Sequence, residues 1–513
     1  MMAQQDILIG IDAGTSVIKT VAFDLSGQQI AVAAVSNRYV TRPDGAAVQD
    51  MNDTWEDAAL ALRQLVEKVP GIANRVAAIG VTGQGDGTWL IDKHGEPVTE
   101  AWLWLDARAA DRAEKLKQKP CDHARYVSTG AGLNSCQMGT QLGLMREIMP
   151  EVFDTATTSL HCKDWLYFRM TGERVVDPSE ASFTFGDFRT RNYSPDVIDA
   201  LELNDLKYLL PPVIDGTQQT HKLTEAAARQ TGLRAGTPVA LAYVDVTCTA
   251  IGGGLFAQDD INACTIIGST GMHMVAKPAE DFMPVGARSG YVMPLPIPGW
   301  VAQIQSNMAA TLNLDWVFAL AGEMARDFGH QADRAELIAR LNGWLTQARP
   351  GQLLYHPYIS EAGERGPFID VSARASLIGL NSGHRFPDIV RSVVEGLGLS
   401  ARHCYSAMGE IPREIVVTGG AARADELRRI LGACLGADLR RATREEAGAT
   451  GAAMIAAVGV GLAPDMRTII KDWVSPTLSS PEGPDAGLVQ KYNQIFPSYT
   501  ASVAALAPIW KQL

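Results

Sequence analysis

Apolar residues are grouped along the first part of the chain into short runs that are separated by glycine-containing turns. Residues 7–11 are almost continuously apolar and end at Asp12, and a second apolar run ends at Phe23. Runs of this length between turn residues predict buried strands. The stretch 6–24 is therefore predicted to form a strand, a tight loop and a strand that returns beside the first.

The loop between these two strands carries groups that suit a phosphate. Gly14, Thr15 and Ser16 offer backbone N–H groups and two hydroxyls to one point, and Lys19 adds positive charge. Asp12 is placed to hold a magnesium ion, because Mg²⁺ prefers one or two carboxylates together with phosphate oxygens. An ordinary hairpin with a glycine in its turn fits the same pattern, since a glycine-rich loop alone is a weak signal. Both interpretations stay open on this stretch.

The periodicities that follow predict an α/β half built on a mixed sheet. Short apolar runs indicate strands, and apolar residues at three- and four-residue spacing indicate helices. The elements expected are a helix at 55–66, a strand at 76–81, helices at 137–149, 159–171 and 194–210, a polar and aromatic loop at 177–189, a strand at 238–244 that ends on Asp245, and a small-residue helix at 247–251.

The second half of the chain repeats the organisation of the first. Residues 263–271 form a strand, a Gly/Ser/Thr loop and the start of another strand, as residues 7–16 do, and residues 414–420 mirror residues 78–84. Two matched pairs in the same order predict a duplicated α/β unit with one ligand cleft between its halves. The boundary is expected after residue 252, which gives domains 1–252 and 253–513. The Ala-rich stretch 446–460 is expected to be a helix packed closely against a sheet.

Composition narrows the class of protein. The chain has 513 residues, of which 46% are hydrophobic and 20% charged, as in an ordinary globular protein with sizeable cores. A net charge of −12 argues against a nucleic-acid or anionic-membrane partner, because phosphate backbones need a basic footprint. Seven widely spaced cysteines without a CxxC pair indicate reduced thiols rather than disulfides or a zinc site. The stretch 1–6 is polar and is not expected to be a signal peptide, so we predict a cytoplasmic protein. A homodimer is a further possibility.

Seven short motifs in order carry a resemblance to a known family. They lie at 11–16, 82–84, 104–108, 163–166, 244–245, 268–271 and 418–421. Over nearly its whole length the chain resembles the FGGY carbohydrate kinases, which are sugar and polyol kinases of the actin and hexokinase fold group. The resemblance implies an α/β fold of two duplicated, ribonuclease H-like domains with a cleft between them. It also implies ATP and Mg²⁺ as cofactors and transfer of phosphate to an alcohol group.

The resemblance assigns roles to individual residues. It makes Asp245 the general base, at a strand end where open α/β sheets bind ligands, whereas the residues alone also allow Asp245 to cap the following helix. It makes Asp12 the residue that positions magnesium. Lys19 is then a phosphate ligand, although a solvated surface lysine is the alternative. The remaining cofactor contacts implied are a first phosphate loop of Gly14, Thr15 and Ser16, a second phosphate clamp of Gly268, Ser269, Thr270 and Gly271, and an adenine-side loop of Gly419, Gly420 and Ala421, for which a purely structural turn is the alternative.

Substrate contacts are expected on the first domain. Gln84 and Asp86 can hydrogen-bond neighbouring hydroxyls, next to Asp245, and Trp104 can cover the carbon chain, although a buried core tryptophan is an equally plain interpretation. Glycerol and xylulose kinases commonly have Arg or His where this chain has Gly85, and an amide where it has Val246. Both differences remove polar contacts from the pocket.

Four stretches suggest which substrate is used. Residues 82–92, 102–110, 161–167 and 177–188 are most similar to the family members that act on erythritol. We therefore expect transfer to a terminal hydroxyl of a small polyol, erythritol first, giving erythritol 4-phosphate. Xylulose, ribulose and glycerol are the alternative substrates. A non-catalytic sugar-binding regulator on the same scaffold is the alternative from another class.

Overall fold

Two six-stranded mixed sheets organise the chain, in a computed structural model that describes residues 5–512. The strands, numbered in chain order, are β1 (Ile7–Ala13), β2 (Val17–Asp24), β3 (Gln29–Ser36), β4 (Val40–Thr41), β5 (Ala47–Gln49), β6 (Val76–Gly83), β7 (Trp89–Asp92), β8 (Ala101–Trp102), β9 (Ala156–Leu160), β10 (Gly186–Asp187), β11 (Asn192–Tyr193), β12 (His221–Lys222), β13 (Pro238–Leu241), β14 (Ala263–Ile267), β15 (Gly271–Pro278), β16 (Tyr291–Pro294), β17 (Trp300–Asn307), β18 (Leu354–His356), β19 (Ser376–Ile378), β20 (Glu414–Thr418) and β21 (Asp438–Arg441).

Helices surround and separate these sheets. They are α1 (Met51–Lys68), α2 (Ala110–Lys117), α3 (Asp122–Thr129), α4 (Met138–Ile148), α5 (Cys162–Thr171), α6 (Pro178–Phe185), α7 (Pro195–Ala200), α8 (Glu225–Thr231), α9 (Asp245–Gly253), α10 (Thr311–Asp327), α11 (Arg334–Gln347), α12 (Phe386–Met408), α13 (Asp425–Leu435), α14 (Ala447–Gly459), α15 (Met466–Val474) and α16 (Ala486–Trp510). Across residues 5–512, no helix is both long and apolar enough to cross a bilayer.

Five strands of each sheet share one topology, which confirms the predicted duplication; the sixth, β12 or β16, lies at opposite edges of the two sheets. The first has the order β12-β13-β6-β1-β2-β3 and the second the order β16-β17-β15-β14-β20-β21. In each sheet an antiparallel hairpin, β1–β2 or β14–β15, pairs in parallel with a strand that arrives much later, β6 or β20. The parallel pairs bring the ends of β1 and β6, and of β14 and β20, to the same edge of their sheets.

The strand register gives equivalent positions in the two sheets. Asp12 of β1 pairs with Lys19 on one side and Thr82 on the other. In the second sheet Ile266 of β14 pairs with Met272 and with Thr418 in the same way. The duplication is therefore asymmetric in chemistry, because the position that holds a carboxylate in the first half holds an isoleucine in the second.

Two small-residue helices, α9 and α14, lie between the sheets. Helix α14 belongs to the second half of the chain but packs on β1 and β6 of the first sheet. A Cβ atom on Gly10 would lie 1.9 Å from the carbonyl oxygen of Ala449, and one on Gly80 would lie 1.9 Å from that of Ala452. Only glycine allows this approach. The prediction that 446–460 is a helix packed closely against a sheet is confirmed.

Two local predictions were wrong, and a third was right apart from its first residues. The expected loop at 177–189 contains helix α6, which Asp177 caps by accepting the backbone N–H of Ser179 at 2.8 Å. Pro178 at the first helical position favours this start, and the interpretation as a loop overlooked that signal. The helix expected at 159–171 is confirmed as α5, which begins at Cys162 because β9 continues to Leu160. Of the helix expected at 194–210, only the short α7 at its start is an α-helix.

The element after β13 also differs from its prediction. The strand ends at Leu241 rather than at residue 244, and Asp245 is the first residue of α9. The three residues between them place Asp245 beyond the sheet edge, at the base of a helix that separates the two sheets. The boundary expected after residue 252 falls in the last turn of α9 and stays a prediction.

Candidate active site

Two adjoining cavities open between the two halves of the chain. The first has a volume of about 330 Å³ and the second about 460 Å³. Both are lined by Thr249 of α9 and Ile266 of β14, so the two cavities meet there. Each receives residues from both halves, as a cleft between duplicated domains requires.

The first cavity gathers most of the residues predicted to contact substrate. Gln84, Asp86, Trp104 and Asp245 all line it, which makes the half-exposed Trp104 a cavity wall rather than a core residue. The second half contributes further walls that the sequence argument did not find. These include Met272, Tyr291, Met293, Arg365 and Ile369. A volume of this size suits a small ligand.

Hydrogen bonds hold one side of this cavity in place. The indole Nε1 of Trp104 donates to Thr15 Oγ1 at 2.8 Å, and that hydroxyl donates to Gln84 Oε1 at 2.9 Å. Gln84 Nε2 donates to Gln49 Oε1 at 2.9 Å. Thr15 therefore lies against the first cavity and orients Gln84, although its predicted role is with the phosphates.

Asp86 is the acidic group of this wall. Its backbone is left-handed, with φ of 57°, and its Oδ2 accepts the thiol of Cys136 at 3.6 Å. Burial, with the negative charge of Glu180 adding to it, raises the pKa of Asp86 to about 7. A carboxyl group with this pKa can accept or donate a hydrogen bond to a hydroxyl near neutral pH.

A buried charged cluster behind Asp86 was missed by the sequence argument. Lys163 Nζ lies 2.7 Å from Asp164 Oδ1 and 2.5 Å from Asp177 Oδ1, with none of the three side chains exposed. His161 Nδ1 lies 2.8 Å from Asp164 Oδ2, and its Nε2 lies 3.5 Å from Glu180 Oε2. The signal available was the pair of charged stretches 161–164 and 177–180, which α5 and α6 bring together.

Asp245 lines the first cavity and lies near Asp12, which lines the second. Asp245 Oδ1 accepts the N–H of the next residue, Val246, at 2.6 Å. An N-cap side chain bonds two or three residues further on and lies outside the helix, so this is not the capping arrangement. Burial raises the pKa of Asp245 to about 8, and the nearby charge of Asp12 contributes to the rise. A carboxylate with a raised pKa is a better proton acceptor.

The second cavity contains the predicted metal and nucleotide residues. Asp12, Lys19, Gly419 and Gly420 line it, and burial raises the pKa of Asp12 to about 6. Lys19 Nζ pairs with Glu446 Oε2 at 2.8 Å, which the sequence argument did not anticipate. Three arginines also missed there, Arg423, Arg441 and Arg444, add positive charge to the walls.

The other predicted cofactor residues occupy different surroundings. Of the loop 268–271, Thr270 lines the first cavity and Gly271 borders a separate small pocket within the second half. Gly14 accepts a hydrogen bond from Asn37 at 2.8 Å through its carbonyl. Ser16 and Ser269 are exposed, and neither they nor Gly14, Gly268 or Ala421 line the two cavities. Their roles stay predictions.

The residues that line the second cavity are compatible with a magnesium ion. A Cβ atom on Gly448 would lie 2.3 Å from Asp12 Oδ2, so glycine leaves the space that this carboxylate needs. Within residues 5–512 there is no group of three or more His, Cys, Asp or Glu side chains that could hold a metal ion alone. A lone carboxylate that shares the ion with phosphate oxygens is the arrangement typical of Mg²⁺. Gly419, with φ of 99°, adopts a conformation that favours glycine.

Two duplicated α/β domains with a small-ligand cavity beside one lined by Asp12, Lys19 and a glycine turn have the arrangement expected of a two-domain phosphotransferase. Models of the FGGY family of carbohydrate kinases match the chain, the N-terminal domain at 7–252 and the C-terminal domain at 263–460. The chain belongs to the FGGY family of carbohydrate kinases. It is accordingly an ATP-dependent phosphotransferase with an alcohol group as acceptor, as the resemblance implied.

A known relative agrees with this family, and solved structures of low identity show the same fold. The chain is 53% identical to a protein of Brucella abortus named erythritol kinase, over 100% of this chain and 99% of that protein. A gluconate kinase from Lactobacillus acidophilus has the same fold with a TM-score of 0.88 at 21% identity, covering 99% of each chain. The structure of Plasmodium falciparum glycerol kinase with ADP has a TM-score of 0.84 at 15% identity, and the match covers 98% of each chain. The predicted fold class is confirmed.

Proposed function

We propose that the protein transfers the terminal phosphate of ATP to a terminal hydroxyl of erythritol and forms erythritol 4-phosphate. One observation carries the proposal: Asp245 lines the first cavity and lies close enough to Asp12 of the second cavity for the charge of Asp12 to act on it. A single carboxylate is thus near both the small-molecule cavity and the cavity proposed for the phosphates. The choice of erythritol is supported by the 53% identity to a protein of that name.

In this proposal the substrate alcohol binds in the first cavity. Gln84 and Asp86 hydrogen-bond its hydroxyls, and the ring of Trp104 covers its carbon chain. The reacting hydroxyl gives its proton to Asp245 as its oxygen attacks the γ-phosphorus, and the bond to the ADP oxygen breaks. In phosphoryl transfer the protein mainly positions groups and offsets charge, so one base and well-placed cations are sufficient.

The nucleotide side of the proposal rests on the second cavity. Asp12 would hold Mg²⁺, which would offset the negative charge of the phosphates. Lys19 would contact phosphate oxygens after leaving Glu446. Gly419, Gly420 and Ala421 would lie beside the adenine, and the loops at 14–16 and 268–271 would approach the phosphates as the domains close.

We propose a cytoplasmic location, supported by seven cysteines that are all free thiols. No nucleic-acid or membrane partner is proposed, since the net charge is −12. A homodimer stays a prediction that light scattering on the purified protein would test.

A substrate panel tests the proposed function. Erythritol, glycerol, D-xylulose and D-ribulose would be compared at equal concentrations with Mg²⁺ and ATP, with ADP formation as the readout. We expect erythritol to have the highest kcat/KM, and NMR of the product should place phosphate on a terminal carbon. Preference for a ketopentose would contradict the choice of erythritol, and polyol binding without ADP formation would contradict a kinase.

A further inference from the structure

Glu180 is a buried carboxylate that lies directly against the wall of the first cavity. Its side chain has no exposed surface, and its Oε1 accepts the backbone N–H of Asp86 at 3.3 Å. Its Oε2 makes no hydrogen bond among residues 5–512 and lies 3.5 Å from His161 Nε2, on the side of the buried charged cluster. Burying a carboxylate with an unfilled acceptor position is costly, so a functional reason is needed.

The space that Glu180 fills exists because residue 85 is glycine. A Cβ atom on Gly85 would lie 2.6 Å from Glu180 Oε1 and 2.5 Å from Val244 Cγ2. Contacts that short force a neighbour to move. Gly85 itself lines the first cavity, so the Glu180 carboxylate takes the place of the side chain that residue 85 lacks.

Asp86, which lines the first cavity, has an unfilled acceptor position of its own. Its Oδ1 is buried and has no hydrogen-bond partner among residues 5–512, while its left-handed backbone, with φ of 57°, fixes the turn that Glu180 holds. Carboxylate oxygens accept hydrogen bonds. Every carbon of a linear polyol carries a hydroxyl that can donate to them, whereas the keto carbon of a ketose offers only an acceptor.

We propose that Glu180 is a positioning residue that selects a polyol against a ketose. It fills the space left by Gly85 and fixes the Asp86 turn through the Asp86 amide, so that the unfilled Asp86 Oδ1 is aimed to accept a hydroxyl of the substrate. The inference rests on the proposed function, because it concerns the substrate of the same cavity. A site built around unfilled acceptors discriminates strongly against a ligand that lacks the matching donor.

The test compares Glu180→Gln with the wild-type protein on two substrates, erythritol and D-xylulose. The amide keeps the size of the side chain but replaces an acceptor with a donor. We expect the KM for erythritol to rise roughly tenfold with kcat within about threefold of wild type. The ratio of kcat/KM for erythritol to that for D-xylulose should fall by a similar factor, and the KM for ATP should not change. Glu180→Asp, which keeps the charge, should recover part of the ratio.

A matched control makes the same chemical change elsewhere. Glu395 is a buried glutamate of α12 that pairs with Arg391 at 2.7 Å and lines neither cavity. Glu395→Gln should lower the melting temperature without changing either KM.

The outcomes separate this inference from the proposed function. A wild-type protein that does not phosphorylate erythritol would overturn the proposed function, whatever the variants do. A folded Glu180→Gln variant with an unchanged substrate ratio, or with equal losses on both substrates, would overturn the role of Glu180. If Glu180→Gln does not fold, Gly85→Ala provides the second test, because its methyl group must displace Glu180. Gly85→Ala should change the ratio in the same direction, and failure of both variants to fold would make Glu180 structural and end the proposal.

Discussion

Lys19 and Glu446, which are 427 residues apart, form an ion pair of 2.8 Å that joins the two halves of the chain beside Asp12. The lysine is 38% exposed and the glutamate 14%, so the pair adds less than about 1 kcal/mol to stability. Its larger effect is on the second cavity. Glu446 neutralises the lysine that is predicted to contact phosphate and also raises the pKa of Asp12.

Replacing Glu446 should therefore improve nucleotide binding. In Glu446→Gln, Lys19 is no longer held by a carboxylate, and the pKa of Asp12 should fall from its wild-type value of about 6. We expect the KM for MgATP to fall by roughly twofold to fivefold, with the larger gain at pH 6, where wild-type Asp12 is partly protonated. KM measured at pH 6 and at pH 7.5 would show this. Lys19→Met should have the opposite effect, and a higher KM in Glu446→Gln would contradict the argument.

Asp245→Asn should remove turnover while leaving both ligands able to bind. Asparagine keeps the shape of the side chain but cannot take the proton of the reacting hydroxyl, so kcat should fall by roughly a hundredfold to ten-thousandfold. Calorimetric titration with ADP and with erythritol would check that binding is retained. A folded variant with near wild-type kcat would remove Asp245 from the mechanism.

The same variant should be more stable than the wild type at high pH. The pKa of Asp245 is raised from 3.8 to about 8, chiefly by burial, so between these values the native state keeps a proton that the unfolded state loses. The stability contributed by this group is present at low pH and is lost as the pH rises through about 8. Since Asn does not titrate, the melting temperature of the variant minus that of the wild type should grow from about pH 5 to about pH 8.5. A difference that stays constant over this range would show that the native pKa is not raised.

Much of the fold could be predicted because the strands are local patterns. The duplicated sheets were predicted from the apolar runs at 7–11 and 263–267 and from the Thr-Gly motif that both halves share. These signals are clear because buried parallel strands are apolar throughout. The helix α6 was missed because its residues are polar and aromatic without a clear apolar stripe, and only its Asp177 cap and Pro178 marked it.

The candidate site was predictable only in part. Residues that end strands, such as Asp12 and Gln84, could be placed because a strand end fixes their position. Glu180 and Glu446 could not, because each reaches the site through the packing of a helix against elements far away in sequence. Arg365 and Tyr291 reach the first cavity from a loop and an edge strand of the second half, where the sequence pattern does not indicate which way a side chain points.

Gly448→Ala should damage the metal position without contacting substrate. The added methyl group would lie 2.3 Å from Asp12 Oδ2, so the carboxylate must turn away from the second cavity. We expect kcat/KM for MgATP to fall by roughly tenfold or more, with part of the loss recovered at high Mg²⁺. Gly343→Ala in α11 is the matched control, since its Cβ would have no heavy atom within 4 Å and helix propensity should make it neutral or slightly stabilising. Equal kinetics in the two variants would contradict the role of Asp12.

Substitution of Trp104 should weaken binding of the polyol and leave binding of the nucleotide unchanged. Trp104→Phe keeps an apolar ring but removes the donor that holds Thr15 Oγ1 at 2.8 Å, and Thr15 in turn orients Gln84. We expect the KM for erythritol to rise by roughly twofold to fivefold in Trp104→Phe and by tenfold or more in Trp104→Ala. The KM for ATP should not change, because Trp104 lines only the first cavity. Trp102→Phe is the matched control: that ring is buried beneath the Arg108 guanidinium, 3.5 Å from its centroid, so its loss should lower the melting temperature and leave both KM values alone. If Trp104→Ala behaved like this control, Trp104 would be a structural residue and the polyol wall would have to be assigned to other side chains.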